Sequence, residues 1–134
     1  MSRRTARETV FKLAFEYSFN REFNSDTLEL MTMDATMTDD DKNFVESTYK
    51  GVINFYDELK SLIEKNISGY SIDRIYRSDF IVLMVACYEL KYTDTPFAVV
   101  INEAVELAKK YGEEKSGKFV NGVLKGVISE GQNG

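Results

Sequence analysis

The sequence predicts an all-α single domain, and three observations carry that expectation. One proline interrupts 134 residues, alternating β-branched runs are scarce, and apolar residues recur at a spacing of about 3.6 from end to end. A chain of this length fits one domain, residues 1–134, able to bury roughly two thirds of its unfolded surface without disulfide staples.

Capping chemistry places about seven helices in order. The first runs from Ser2 or Arg3 to Asn20, with Val10, Phe11, Leu13, Ala14, Phe15 and Tyr17 at helical spacing. Ser25 or Asp26 opens a short second helix through Leu28 and Leu30 to Met33. Thr38 followed by Asp39, Asp40 and Asp41 is a start signal, a capping hydroxyl with carboxylates in the first turn. The helix it opens carries Phe44, Val45, Tyr49, Val52, Ile53, Tyr56, Leu59 and Ile63 without interruption and is expected to stop at Gly69. Ser71 caps a short piece through Ile72, Ile75 and Tyr76, and Ser78 with Asp79 starts the most hydrophobic element, which is apolar nearly all round and must lie centrally. Thr95-Pro96 starts a helix that reaches Gly112, with the proline at its first position. Ser116 caps the last, whose inner face is Phe119, Val120, Val123, Leu124, Val127 and Ile128, and residues 131–134 are expected to fray. Asn121-Gly122 would by itself predict a turn, but apolar spacing continues on both sides. An interior helical glycine costs about 1 kcal/mol relative to alanine, so Gly122 implies tight helix packing or the close approach of a ligand.

Most chemistries find no support. The chain has no histidine and one cysteine, which removes the usual general base and the commonest metal ligand. Cys87 sits inside an apolar run and reads as a small core residue. No phosphate-cradling glycine loop or zinc spacing occurs, and Asp39-Asp40-Asp41 lacks the alternation, glycine and distal glutamate of a calcium loop. Glu103 and Glu106 lie one turn apart, but with Lys109 and Lys110 nearby they fit a solvated face better than a catalytic pair. No enzyme and no cofactor are expected. The longest apolar run, about nine residues, falls far short of the roughly 18 needed to span a membrane, and the N-terminus lacks the apolar core of a signal peptide, so the expected location is the cytoplasm.

Charge distribution points to a ligand instead. Residues 1–21 hold five cations against two acids, a net +3, which leaves −8 for the rest of a chain whose total is −5. Arg3, Arg4 and Arg7 stand in the first turns of a helix, where the macrodipole already places about half a positive charge and each cation costs a few tenths of a kcal/mol. Something outside the helix must offset that cost. On a wheel of about 100° per residue, Arg4, Arg7, Phe11 and Phe15 share a sector about 80° wide. Guanidinium groups beside rings suit single-stranded nucleic acid, whose phosphates take the charge while bases stack. The same residues also fit a core face flanked by the surface pairs Arg4–Glu8 and Lys12–Glu16. Lys118-Phe119 repeats the pairing of charge and ring at the last helix.

RRTARE from Arg3 to Glu8 with its aromatic helix, YEL at Tyr88 to Leu90, PFAVVINEAVELAKKYG from Pro96 to Gly112, and SGKFVNGVL from Ser116 to Leu124 together resemble the NusB family of bacterial transcription antitermination factors. The resemblance covers the whole chain, and its most specific parts are INEAVELAKKYG and KFVNGVL at the right separation. A related group fuses this domain to an RNA methyltransferase, but the length here matches the stand-alone factor. The resemblance implies two small helical bundles, no catalysis, and binding of boxA-type single-stranded RNA in nascent ribosomal transcripts. It further implies a heterodimer with the small-subunit ribosomal protein that acts as NusE, the pair joining an RNA polymerase antitermination complex. By motif match, Arg3, Arg4, Arg7 and Lys118 would face RNA phosphates, and Phe119 would offer its ring to a base. Phe15 stands where members often carry a tyrosine and can stack without donating a hydrogen bond. Asp79, with Asp73, would face a basic region of the ribosomal partner. A homodimer of the free protein through the partner's surface is kept as an alternative.

The rival from another class is an acidic helical adaptor that binds a basic protein and never touches RNA. The charge of −8 outside the first helix favours it, and indifference between boxA-like and scrambled RNA would reveal it.

Overall fold

Ser2 begins the first helix as its cap, its hydroxyl accepting from the Thr5 N–H, and α1 follows as Arg3–Asn20. A computed structural model describes residues 2–67 and 71–133 of the chain. Arg21 ends α1 in the left-handed region at φ 60° and returns its N–H to the Tyr17 carbonyl at 2.7 Å. That conformation costs a side-chain-bearing residue roughly 1–2 kcal/mol. The Arg21 guanidinium lies 3.8 Å from the centre of the Tyr56 ring, an attraction that offsets part of the cost.

Asn24, not Ser25 or Asp26, caps α2 (Ser25–Thr32) by accepting from Thr27 N–H. Thr38 caps α3 (Asp39–Asn54) as expected, accepting from Asp41 N–H. The long helix predicted next is two helices. Phe55, at φ −109° and ψ 21°, separates α3 from α4 (Tyr56–Lys65). The apolar positions Val45, Tyr49, Val52, Tyr56, Leu59 and Ile63 keep helical spacing across the break, which is why the sequence does not betray it. What changes is the partner: α3 packs on α1 and α5, whereas α4 packs on α5 and α7. Phe55 turns outward at the joint and stacks on Tyr92 with ring centres 4.3 Å apart. The expected stop at Gly69 lies outside the described residues.

Ile72–Arg74 form one 3₁₀ turn, and Ser71 makes no capping hydrogen bond to it. The central helix, α5 (Arg77–Tyr92), starts a residue before Ser78 and has no side-chain cap. Residues 81 to 87 are all buried, and α5 touches α1, α3, α4, α6 and α7, as an element apolar all round requires. Gly51 of α3 makes room for this: a Cβ there would fall 2.2 Å from the Tyr88 ring.

Pro96 occupies the cap position of α6 (Phe97–Tyr111), not its first helical position, and Thr95 does not cap it. The Thr95 N–H is held instead by the Thr93 hydroxyl at 3.3 Å. Ser116 is the first residue of α7 (Ser116–Asn133), and its hydroxyl accepts from Glu113 N–H at 2.8 Å in the preceding loop. The helix extends to Asn133, and Gly134 lies outside the described residues. Gly122 is exposed, and a Cβ would meet nothing within 4 Å, so tight packing does not explain it.

The described residues contain seven α-helices and no strand. One group is α1, α2 and α3; the other is α4, α6 and α7; α5 belongs to the core of both.

Candidate nucleic-acid interface

The helix dipole leaves a debt at the start of α1, and the structure shows what meets it. Arg3 donates from Nε to Asp41 at 2.7 Å and from Nη2 to Asp40 at 2.6 Å, and its guanidinium lies 4.4 Å from the Phe44 ring centre. Arg4 grips Glu103 with two bonds of 2.9 and 3.1 Å. Arg7 grips Glu89 with two more, 2.7 and 3.0 Å, in the interior: Arg7 is 6% exposed and Glu89 1%. All three arginines are therefore offset from within the protein. Glu103 serves as the anchor of an arginine and Glu106 pairs weakly with Lys109 at 3.8 Å, so neither acts as half of a carboxylate couple.

The shared sector on the helix wheel divides in three dimensions. Arg7 and Phe11 point into the core, whereas Arg4 is exposed and Phe15 half-buried. Phe11 stacks on Tyr111 with ring centres 4.8 Å apart, and the Tyr111 hydroxyl donates to Glu8, which also receives Lys110 at 2.9 Å. Glu8 is held below the usual carboxylate range, first by the Tyr111 bond and then by Lys110. Burial and the Glu8 bond push the Tyr111 hydroxyl up to about 12. This clamp ties α1 to the end of α6. A tyrosine closing a helix, paired with a glutamate more than 100 positions earlier, left no signal in the sequence.

Two hollows lie side by side at the first turn of α5. One, about 280 Å³, is walled by Phe11, Lys12, Phe15, Ser78 and Tyr111. The other, about 590 Å³, includes Arg74, Tyr76, Asp79, Lys115, Ser116 and Phe119. Ser78 lines the first and Asp79 the second, so adjacent residues join the Phe15 face to the Phe119 face. Asp79 is 3% exposed; it pairs with the Ser116 hydroxyl, and its Oδ1 has no hydrogen-bond partner. Burial raises its carboxyl above the ordinary value, with Ser116 opposing. Asp73 does not share this hollow. It is exposed on the 3₁₀ turn and faces a smaller depression with Lys60, Arg77 and Tyr56.

Phe119 is half-buried against the core, and Lys118 beside it is exposed. Lys118 borders a shallow groove between α6 and α7 with Lys109, Asn102 and Asn121. Among the described residues, no set of cysteines and carboxylates could hold a metal ion, and no helix is long and apolar enough to cross a membrane.

The architecture is that of an all-α domain with rings and cations gathered at its helix ends. The chain is a member of the NusB family, whose model matches residues 4–129. It is 38% identical over 125 residues to the transcription antitermination protein NusB of Ruminiclostridium cellulolyticum, covering 92% of this chain and 86% of that one. It is 37% identical to the protein of the same name from Bacillus subtilis, covering 97% of each. The structure of T. maritima NusB superposes with a TM-score of 0.87 at 36% identity, over 97% of this chain and 92% of that one. A chain in a crystal structure of the antitermination factors NusB and NusE in complex with dsRNA superposes with a TM-score of 0.81 at 28% identity, over 96% of each.

Proposed function

We propose that this protein is a transcription antitermination factor that binds boxA-type RNA together with the small-subunit ribosomal protein acting as NusE, as part of an RNA polymerase antitermination complex in the cytoplasm. It works by binding alone, with no catalysis and no cofactor. The observation that carries this reading is the joining of the Phe15 and Phe119 faces at the first turn of α5, in a fold shared with a NusB–NusE complex containing RNA.

Within that surface the residues take different parts. Phe15 and Phe119 present ring faces to bases, and Lys118, next to Phe119 in sequence and on the groove between α6 and α7, meets a phosphate. Arg3 and Arg4, both partly open to solvent, can exchange a carboxylate for a phosphate oxygen. Arg7 is committed in the interior and holds the N-terminal helix in place for its neighbours. Asp79, lining the hollow beside Phe119, and Asp73, exposed on the preceding 3₁₀ turn, place negative charge toward a basic region of the ribosomal partner.

Fluorescence anisotropy of labelled boxA-like and scrambled RNAs, with and without the ribosomal protein, tests the proposal at two salt concentrations. Preference for boxA that sharpens with the partner is expected. Arg4→Ala with Lys118→Ala should flatten the log-log salt slope by about 0.7 for each phosphate that the protein no longer neutralises. Equal binding of both RNAs while the partner still binds would overturn the reading in favour of an adaptor.

A further inference from the structure

The cationic start of α5 is balanced differently from that of α1. Arg77 is the first residue of α5, where a cation is disfavoured by the dipole. Its Nη1 donates to the Ser18 carbonyl at 3.2 Å and the Ser18 hydroxyl at 3.1 Å, both neutral groups. Among the described residues it pairs with no carboxylate within ion-pair distance, in contrast to Arg3, Arg4 and Arg7. The guanidinium lies 4.3 Å from the centre of the Phe19 ring, and Phe19 is 64% exposed.

Phe19 is also the end of a row. Phe11, Phe15 and Phe19 recur every four residues, and each step of four turns about 40° around a helix and climbs about 6 Å. That drift carries the rings from the core, through the half-buried Phe15, to solvent. Their centres are 5.9 Å apart at Phe11–Phe15 and 5.3 Å at Phe15–Phe19, so the row is unbroken. Arg77 precedes Ser78, which walls the Phe15 hollow, and itself borders the separate depression of Tyr56, Lys60 and Asp73; what ties it to the Phe15 face is the Phe19 ring between them.

We infer that single-stranded RNA seated at Phe15 and Phe119 continues along α1 to a further nucleotide position, where the Phe19 ring stacks a base and Arg77 takes the adjoining phosphate. The inference rests on the RNA reading above and extends its footprint. An exposed ring with a cation already fixed by two hydrogen bonds is pre-organised for this ligand, since ordering the side chains on binding costs little. Asp73 and Lys60 line the depression that Arg77 also borders, and Asp57 lies 3.6 Å from Arg21.

The test compares a minimal boxA-length RNA with the same RNA extended by three unpaired nucleotides at its 5′ or its 3′ end. One extension, and only one, should tighten binding by the wild type roughly tenfold, the low end of what stacking one base contributes. Phe19→Ala and Arg77→Gln should each remove most of that gain and leave affinity for the minimal RNA unchanged. Arg77→Gln should also lower the salt slope on the extended RNA by about 0.7. Far-ultraviolet circular dichroism of both variants checks that they fold, which their exposed positions favour. If the wild type binds the minimal RNA but gains from neither extension, the inference fails and the RNA reading stands. Variants that keep the gain, or that fail only to bind the ribosomal partner, overturn it equally. If the wild type binds no RNA, both readings fall together.

Discussion

Truncating Arg7 to alanine would strand the Glu89 carboxylate in the core, and the size of that effect separates a positioning arginine from a phosphate-binding one. The two side chains are 8% and 2% exposed and joined by bonds of 2.7 and 3.0 Å. Removing one member of a buried pair costs about 3–5 kcal/mol, because the other charge is left without a partner. For a domain of this size that corresponds to a fall in melting temperature of roughly 10–20 °C. Replacing both, Arg7→Met with Glu89→Met, exchanges the pair for apolar groups of similar length and should recover most of the loss. Urea unfolding followed by circular dichroism reads all three proteins. RNA binding of Arg7→Ala, measured at a temperature where it stays folded, should keep the wild-type salt slope. A single variant within about 1 kcal/mol of wild type, or a slope lower by about 0.7, would refute the assignment of Arg7 to the interior scaffold.

Three further substitutions probe the fold and the interface. Gly122→Ala adds a methyl to open space on a helix and should stabilise the protein by about 0.5–1 kcal/mol in thermal unfolding; a weaker affinity for RNA in the same variant would show that the glycine admits a ligand backbone. Gly51→Ala drives a methyl to 2.2 Å from the Tyr88 ring and should destabilise by about 1–3 kcal/mol, with an unchanged melting temperature counting against the α3–α5 packing described. Asp79 titrates above its ordinary value because of burial, so the stability it contributes is fully present below the unfolded value of 3.8 and is lost as pH rises through its folded value. Asp79→Asn should therefore gain stability relative to wild type between pH 4 and pH 7, and parallel pH curves for the two would contradict this.

The helical class, most helix starts and the central place of α5 were legible in the residues, because capping and amphipathic spacing are settled within a few positions. Thr38 illustrates it: the hydroxyl that the sequence marks as a cap accepts a bond from an N–H three residues on. Phe55 shows the limit. Apolar spacing runs unchanged through the break between α3 and α4, and only the need for each half to meet different neighbours bends the chain there.

The candidate site divides along the same line. Arginines in a first turn signalled that charge compensation had to come from elsewhere, and that inference needed only the helix dipole. What supplied it depended on residues far along the chain, Glu89 at 82 positions from Arg7 and Glu103 at 99 from Arg4. Arg77 drew no attention in the sequence because a lone arginine between a 3₁₀ turn and an apolar helix has no local pattern. The residue types and their spacing thus determined the helices and the presence of a cationic, aromatic N-terminal segment. Which cations are consumed by carboxylates and which remain open to a phosphate was decided only by tertiary packing, because ion pairs form between groups that the folded chain, and not the sequence order, brings within 3 Å of each other.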